Sequence, residues 1–88
     1  MPYIKELDRV KFKPILEEFD KIILHSLIST GDMNYLITKM VHNFLDEKGV
    51  SYKNINEMIG VLECAKLELY RKIASPYEDE KEKTNGKI

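Results

Sequence analysis

Residues 51–73, SYKNINEMIGVLECAKLELYRKI, constrain the fold more than any other stretch, because they keep an unbroken helical period and are apolar on more than one side. At about 100° per residue, Ile55, Ile59, Leu62, Leu69 and Ile73 share one face, with Met58 and Ala65 along one edge and Tyr52 and Tyr70 along the other. Val61, Cys64 and Leu67 point the opposite way, so the turn GVLECAKL is apolar nearly all round. A helix of that kind needs cover on more than one side. Lys66 falls in the middle of the main face and Glu63 at its margin, so the two charges are expected to be carried toward the interior together.

The rest of the chain supplies two shorter helices. Tyr3, Ile4, Leu7 and Val10 punctuate residues 1–13, read as an extended arm or a single helical turn. Pro14 suits the first turn of a helix, and Ile15, Leu16, Phe19, Ile22, Ile23 and Leu27 recur at helical spacing, which predicts helix one over 14–28. Ser29, Thr30 and Gly31 are expected to end it. Asp32 is the expected N-cap of helix two, which runs to about Lys48 with Met33, Leu36, Ile37, Met40, Val41, Phe44 and Leu45 on its apolar face. Gly49 supplies the residue that stops it. Ser51 caps helix three, and Ser75-Pro76 is expected to close it. Residues 76–88, PYEDEKEKTNGKI, read from composition as a mobile charged tail.

With 88 residues, the chain is one domain near the lower size limit for a self-sufficient core. Small domains commonly gain stability by association, disulfides or a metal. Cys64 is the only cysteine, so no disulfide forms within the chain. A lone thiol, together with a start (MPYIKELDR) that has no apolar leader, gives the expectation of a reducing cytoplasmic setting. No apolar run approaches the roughly 18 residues a membrane span needs. Fourteen Lys and Arg against 15 Asp and Glu leave a formal charge of −1, which disfavours a protein whose main task is gripping phosphate backbones.

Chemical motifs are sparse. His25 and His42 have no second histidine at ligand spacing, and no HExxH or CxxC occurs, so no metal and no cofactor are expected. The four glycines are isolated and open no phosphate-binding loop. No serine or cysteine has a base at a spacing that suggests nucleophilic catalysis, and no catalytic residue is assigned. Two readings of different class remain. In the first, helix three is a binding surface: Asn56, Glu63, Lys66 and Tyr70 lie within about 80° on the helical projection and offer amide, carboxylate, ammonium and phenol groups to a polar ligand or a second chain. Tyr35, Thr38 and His42 form a possible second face on helix two. The bland alternative makes Glu63 and Lys66 an internal ion pair. The second reading is a helix-turn-helix over LDEKGVSYKNINEMIGVL, residues 45–62, presenting Tyr52, Lys53, Asn56 and Glu57 to nucleic acid. Its second helix is about twice the usual recognition length, and the net charge opposes it.

GDMNYLIT at 31–38, NEMIGVLECAKLELYRKIASPYEDEK at 56–81 and Asn85-Gly86 together resemble a family of small proteins of unknown function found in bacterial and bacteriophage genomes. The similarity covers roughly residues 30 to 86, with AKLELYRKIASPYED its most specific phrase, and little of the first 29 residues. The resemblance implies a compact cytoplasmic, virus-type accessory protein with no catalytic residues to carry over, and an ordered tail in place of a mobile one. Two accessory roles follow from such an origin: binding a host protein, or sequestering a small nucleotide-like ligand in an oligomer.

The expectation is thus an all-α protein: an arm (1–13), a three-helix domain (14–75) and a charged tail (76–88). Helices two and three should form an antiparallel pair covered by helix one. A homo-dimer or higher oligomer should form through Gly60, Val61, Cys64 and Leu67, with Leu67→Glu breaking it and leaving the monomer folded. Nucleic acid and membrane are not expected partners.

Overall fold

The computed structural model describes residues 3–88, and among these helices are the regular structure, without a strand. Met1 and Pro2, the start of the expected arm, lie outside the described residues. The three main helices foreseen from the sequence are present. Contacts divide the chain into two compact units, one spanning Tyr3–Ile55 and the other Asn56–Ile88.

The first unit opens with a short helix α1 (Glu6–Arg9) and a 3-10 turn (Val10–Phe12), where Arg9 Nε donates to the Ile4 carbonyl at 2.7 Å. Helix α2 follows (Lys13–His25), with Pro14 in its first turn as expected. It stops three residues short of the predicted end, because Ser26 is extended at φ −141° and ψ 149°. The sequence places no glycine or asparagine there to turn the chain, so the helix ends by extending into the cap of the next one.

Helix α3 (Thr30–Lys48) starts earlier than the expected Asp32 cap. Ser29 is the N-cap: its Oγ accepts from the Asp32 N–H, and the Asp32 carboxylate accepts from the Ser29 N–H, both at 3.0 Å. This reciprocal pair satisfies two donors that a helix start otherwise leaves orphaned. It draws Thr30 and Gly31, read as a stop, into the first turn. At the other end Gly49, at φ 105°, donates its N–H to the Leu45 carbonyl at 2.8 Å. A residue with a Cβ is strained at that φ. Ser51 Oγ then accepts from the Asn54 N–H at 3.1 Å and caps α4 (Tyr52–Leu69) as predicted.

The second unit carries α4 from Asn56 onward, a five-residue π turn (Tyr70–Ala74) and α5 (Ser75–Asn85), without a break between them. The predicted stop at Ser75-Pro76 does not occur. Proline in a helix interior lacks an N–H and crowds the carbonyl four residues back. Here the preceding turn widens to a five-residue hydrogen-bond step, the Ser75 N–H donating to the Tyr70 carbonyl, and Pro76 falls in the first turn of α5, where its missing donor costs little. The residues expected to form a tail are helical as far as Asn85, with Lys83 paired to Glu80 at 3.1 Å and Lys81 Nζ lying 5.5 Å above the Tyr77 ring. Each such pair contributes about 0.2–0.5 kcal/mol. Gly86, at φ 90°, ends the helix.

None of the described residues is buried. On α3, Met33, Leu36, Val41 and Leu45 are partly covered, as are Phe19 on α2 and Met58 on α4. The stripe of α2 stands open, with Ile15 and Leu16 each 58 % exposed. In the first unit, the most extensive contacts between elements join α1, the 3-10 turn and α2, which follow one another in sequence.

Candidate functional site

All four residues of the polar strip belong to the second unit, three on α4 and Tyr70 at the first position of the π turn. The helix brings Glu63 and Lys66 together, with Lys66 Nζ 3.2 Å from one carboxylate oxygen and 3.5 Å from the other. Their side chains are 54 % and 68 % exposed. The expectation that this pair is carried into an interior is therefore corrected, because no element of the unit lies over that face. As a solvated i, i+3 pair it contributes about 0.2–0.5 kcal/mol to the helix. Asn56 stands two turns before Glu63 and Tyr70 one turn after Lys66, both exposed. The strip thus presents a pre-formed carboxylate–ammonium pair flanked by an amide and a phenol.

The side of the same helix next to the strip, turned away from Ile55, Ile59 and Leu62, carries Gly60, Val61, Cys64 and Leu67, all exposed. A Cβ added at Gly60 would meet nothing within 4 Å, so the close backbone approach expected there is not made by the described residues of its own unit. On α3, Tyr35, Thr38 and His42 are exposed as the amphipathic pattern requires, and the Thr38 hydroxyl donates to Asn34 Oδ1 at 3.1 Å, one turn back on its own helix.

One structural residue escaped the sequence reading. Asn54 Nδ2 donates to the Gly49 carbonyl at 2.9 Å and to the Lys48 carbonyl at 3.3 Å, so one amide closes the end of α3 while its backbone is held by the cap of α4. The signal was the spacing Ser51-x-x-Asn54 directly after a helix-stopping glycine.

Among the described residues no group of three or more His, Cys, Asp or Glu side chains could hold a metal ion, and no helix is long and apolar enough to cross a membrane. An open, shallow depression along α5 is lined by Glu78, Asp79, Lys81, Glu82, Asn85, Gly86 and Ile88. The chemistry on offer is therefore that of exposed helix faces. A family model described as a domain of unknown function matches residues 1–88, the whole chain. The chain belongs to the DUF6899 family. No curated protein and no solved structure matches it. Since the DUF6899 description assigns no activity, the roles of Glu63, Lys66 and their neighbours rest on their own geometry and chemistry.

Proposed function

We propose that this DUF6899 chain is a non-enzymatic interaction module that acts as a homo-oligomer, dimeric or higher, and that its helices complete their burial only on association. The observation that carries this reading is the exposure of large apolar side chains within each unit. In the first, Ile15, Leu16, Ile22 and Ile23 stand 47–58 % exposed, and in the second, Ile59, Val61, Leu67, Leu69 and Ile73 stand 54–63 % exposed. Apolar helix faces left open in this way are the mark of an association surface.

In this reading the antiparallel pairing of α3 and α4, with α2 as cover, belongs to the assembled form. The side of α4 carrying Gly60, Val61, Cys64 and Leu67 meets a second chain. The strip of Asn56, Glu63, Lys66 and Tyr70 then remains for a small polar ligand or a host protein, with Tyr35, Thr38 and His42 as a second contact face. A cytoplasmic accessory role of phage type is compatible with this chemistry.

Sedimentation velocity over a hundredfold concentration range, with helicity followed by circular dichroism, tests the proposal. Mass and helicity should fall together on dilution, because ordering helices without burial leaves the conformational entropy cost uncompensated. A single species of monomer mass with full helicity at every concentration would overturn it. Native mass spectrometry of the protein from its own host then reports the subunit count and any small molecule retained.

A further inference from the structure

We infer that the second copy packs antiparallel along α4, about a two-fold axis near Cys64, with Glu57 of each chain facing Arg71 of the other. This rests on the association reading above and adds its orientation and its specificity.

Glu57, Cys64 and Arg71 are spaced at i, i+7 and i+14; each step drifts about 20°, so at about 100° per residue Glu57 and Arg71 lie about 20° to either side of Cys64, on one side of the helix, with Arg71 turned somewhat further by its place in the π turn. Gly60 and Leu67 lie between them on the same side. Cys64 is the midpoint: the two charges sit about 10 Å on either side of it along the axis at 1.5 Å per residue. Their signs are opposite. A parallel pair of chains would place Glu57 against Glu57 and Arg71 against Arg71. An antiparallel pair turned about Cys64 places each glutamate opposite an arginine, twice by symmetry, as an isologous two-fold contact requires.

The neighbourhood fits that contact. Arg71 lies on the π turn and already pairs with Glu68 at 3.3 Å, with its side chain 63 % exposed, and a guanidinium holds five N–H donors, enough for a second carboxylate. The open space over Gly60 leaves room for a long side chain from the partner to cross the helix. Val61 and Leu67, each more than half exposed, supply the apolar contact on either side of the axis. Like charges placed across an interface select against the wrong register, so this pattern sets direction as well as affinity.

Single-cysteine cross-linking decides the orientation. In a Cys64→Ser background, Glu57→Cys and Arg71→Cys proteins are prepared separately, then mixed, oxidised and resolved by non-reducing gel. The expected result is a disulfide dimer in the mixture and none from either protein alone. Dimers from Glu57→Cys alone would indicate parallel chains and overturn the orientation, while leaving association intact. An oligomer by sedimentation with no cross-link in any tube would place the interface elsewhere and also overturn it. A monomer by sedimentation would remove both this inference and the reading beneath it. As an independent arm, Glu57→Arg should weaken dimerisation about tenfold, and Glu57→Arg with Arg71→Glu should restore it. A double variant no better than the single one refutes the pairing.

Discussion

Replacing Leu67 with glutamate tests the association surface at the position where the cost can be worked out. Full burial of a leucine side chain stabilises by about 1.5–3 kcal/mol. Leu67 is 55 % exposed in the chain, so covering the remainder contributes roughly 0.8–1.6 kcal/mol on that scale. A two-fold dimer buries it twice, giving about 1.6–3 kcal/mol for the pair. Leu67→Ala should therefore weaken dimerisation about ten- to a hundredfold. Leu67→Glu should go further, because it also forces two carboxylates out of water with no partner. Sedimentation equilibrium gives the dissociation constant. Circular dichroism at the same concentrations gives a second readout. From sequence alone the monomer was expected to survive this substitution, but helices that bury no side chain have no packed core of their own, and α2 at 13 residues is of marginal length in isolation. Helicity and cooperative melting should fall with the mass. A Leu67→Glu protein with unchanged sedimentation mass and unchanged melting refutes the interface.

Three further substitutions probe the helices. Ser29→Ala removes the cap of α3 and should lower stability by about 1 kcal/mol, visible as a reduced melting temperature at fixed concentration; an unchanged curve means that the cap is redundant. Lys66→Met should change stability by no more than about 0.5 kcal/mol while abolishing retention of any co-purifying polar ligand. A loss of several kcal/mol would mean that the Glu63–Lys66 pair is buried in the assembled protein, and unchanged retention would dismiss the ligand role. Pro76→Ala restores an N–H and should convert Tyr70–Ala74 to ordinary α-helical hydrogen bonding, read by Cα chemical shifts and slower amide exchange across the turn. Persistence of the π turn would show that proline is not its cause.

The helices were legible because their signals are local. Apolar residues at spacings of three and four marked α2, α3 and α4, and Gly49 and Ser51 marked the turn between the last two. Boundaries failed where two local signals competed. Ser29 and Asp32 are both good caps; the reciprocal hydrogen bonds between them decided for Ser29, a choice that depends on geometry rather than residue type. Pro76 was read as a stop because the rule for the residue before proline presumes an ordinary α-helix, and the widened turn at Tyr70–Ala74 removes that premise. The candidate strip was legible as a helical projection, since angular position follows directly from residue spacing. Its burial was not, because whether Glu63 and Lys66 meet protein or water depends on what lies across from them, and no periodicity within one helix encodes that.

The π turn also limits how far any neighbour can follow this helix. Each residue in it advances by less than the α-helical angle, so the side chains of α5 come out of phase with those of α4. A groove that tracks Val61, Cys64 and Leu67 loses its α-helical phase just beyond Arg71, ahead of the charged helix that carries Glu78, Asp79 and Glu82. In the proposed assembly, a mate aligned with the greasy seam would thereby be halted at a fixed point, short of the charged final helix.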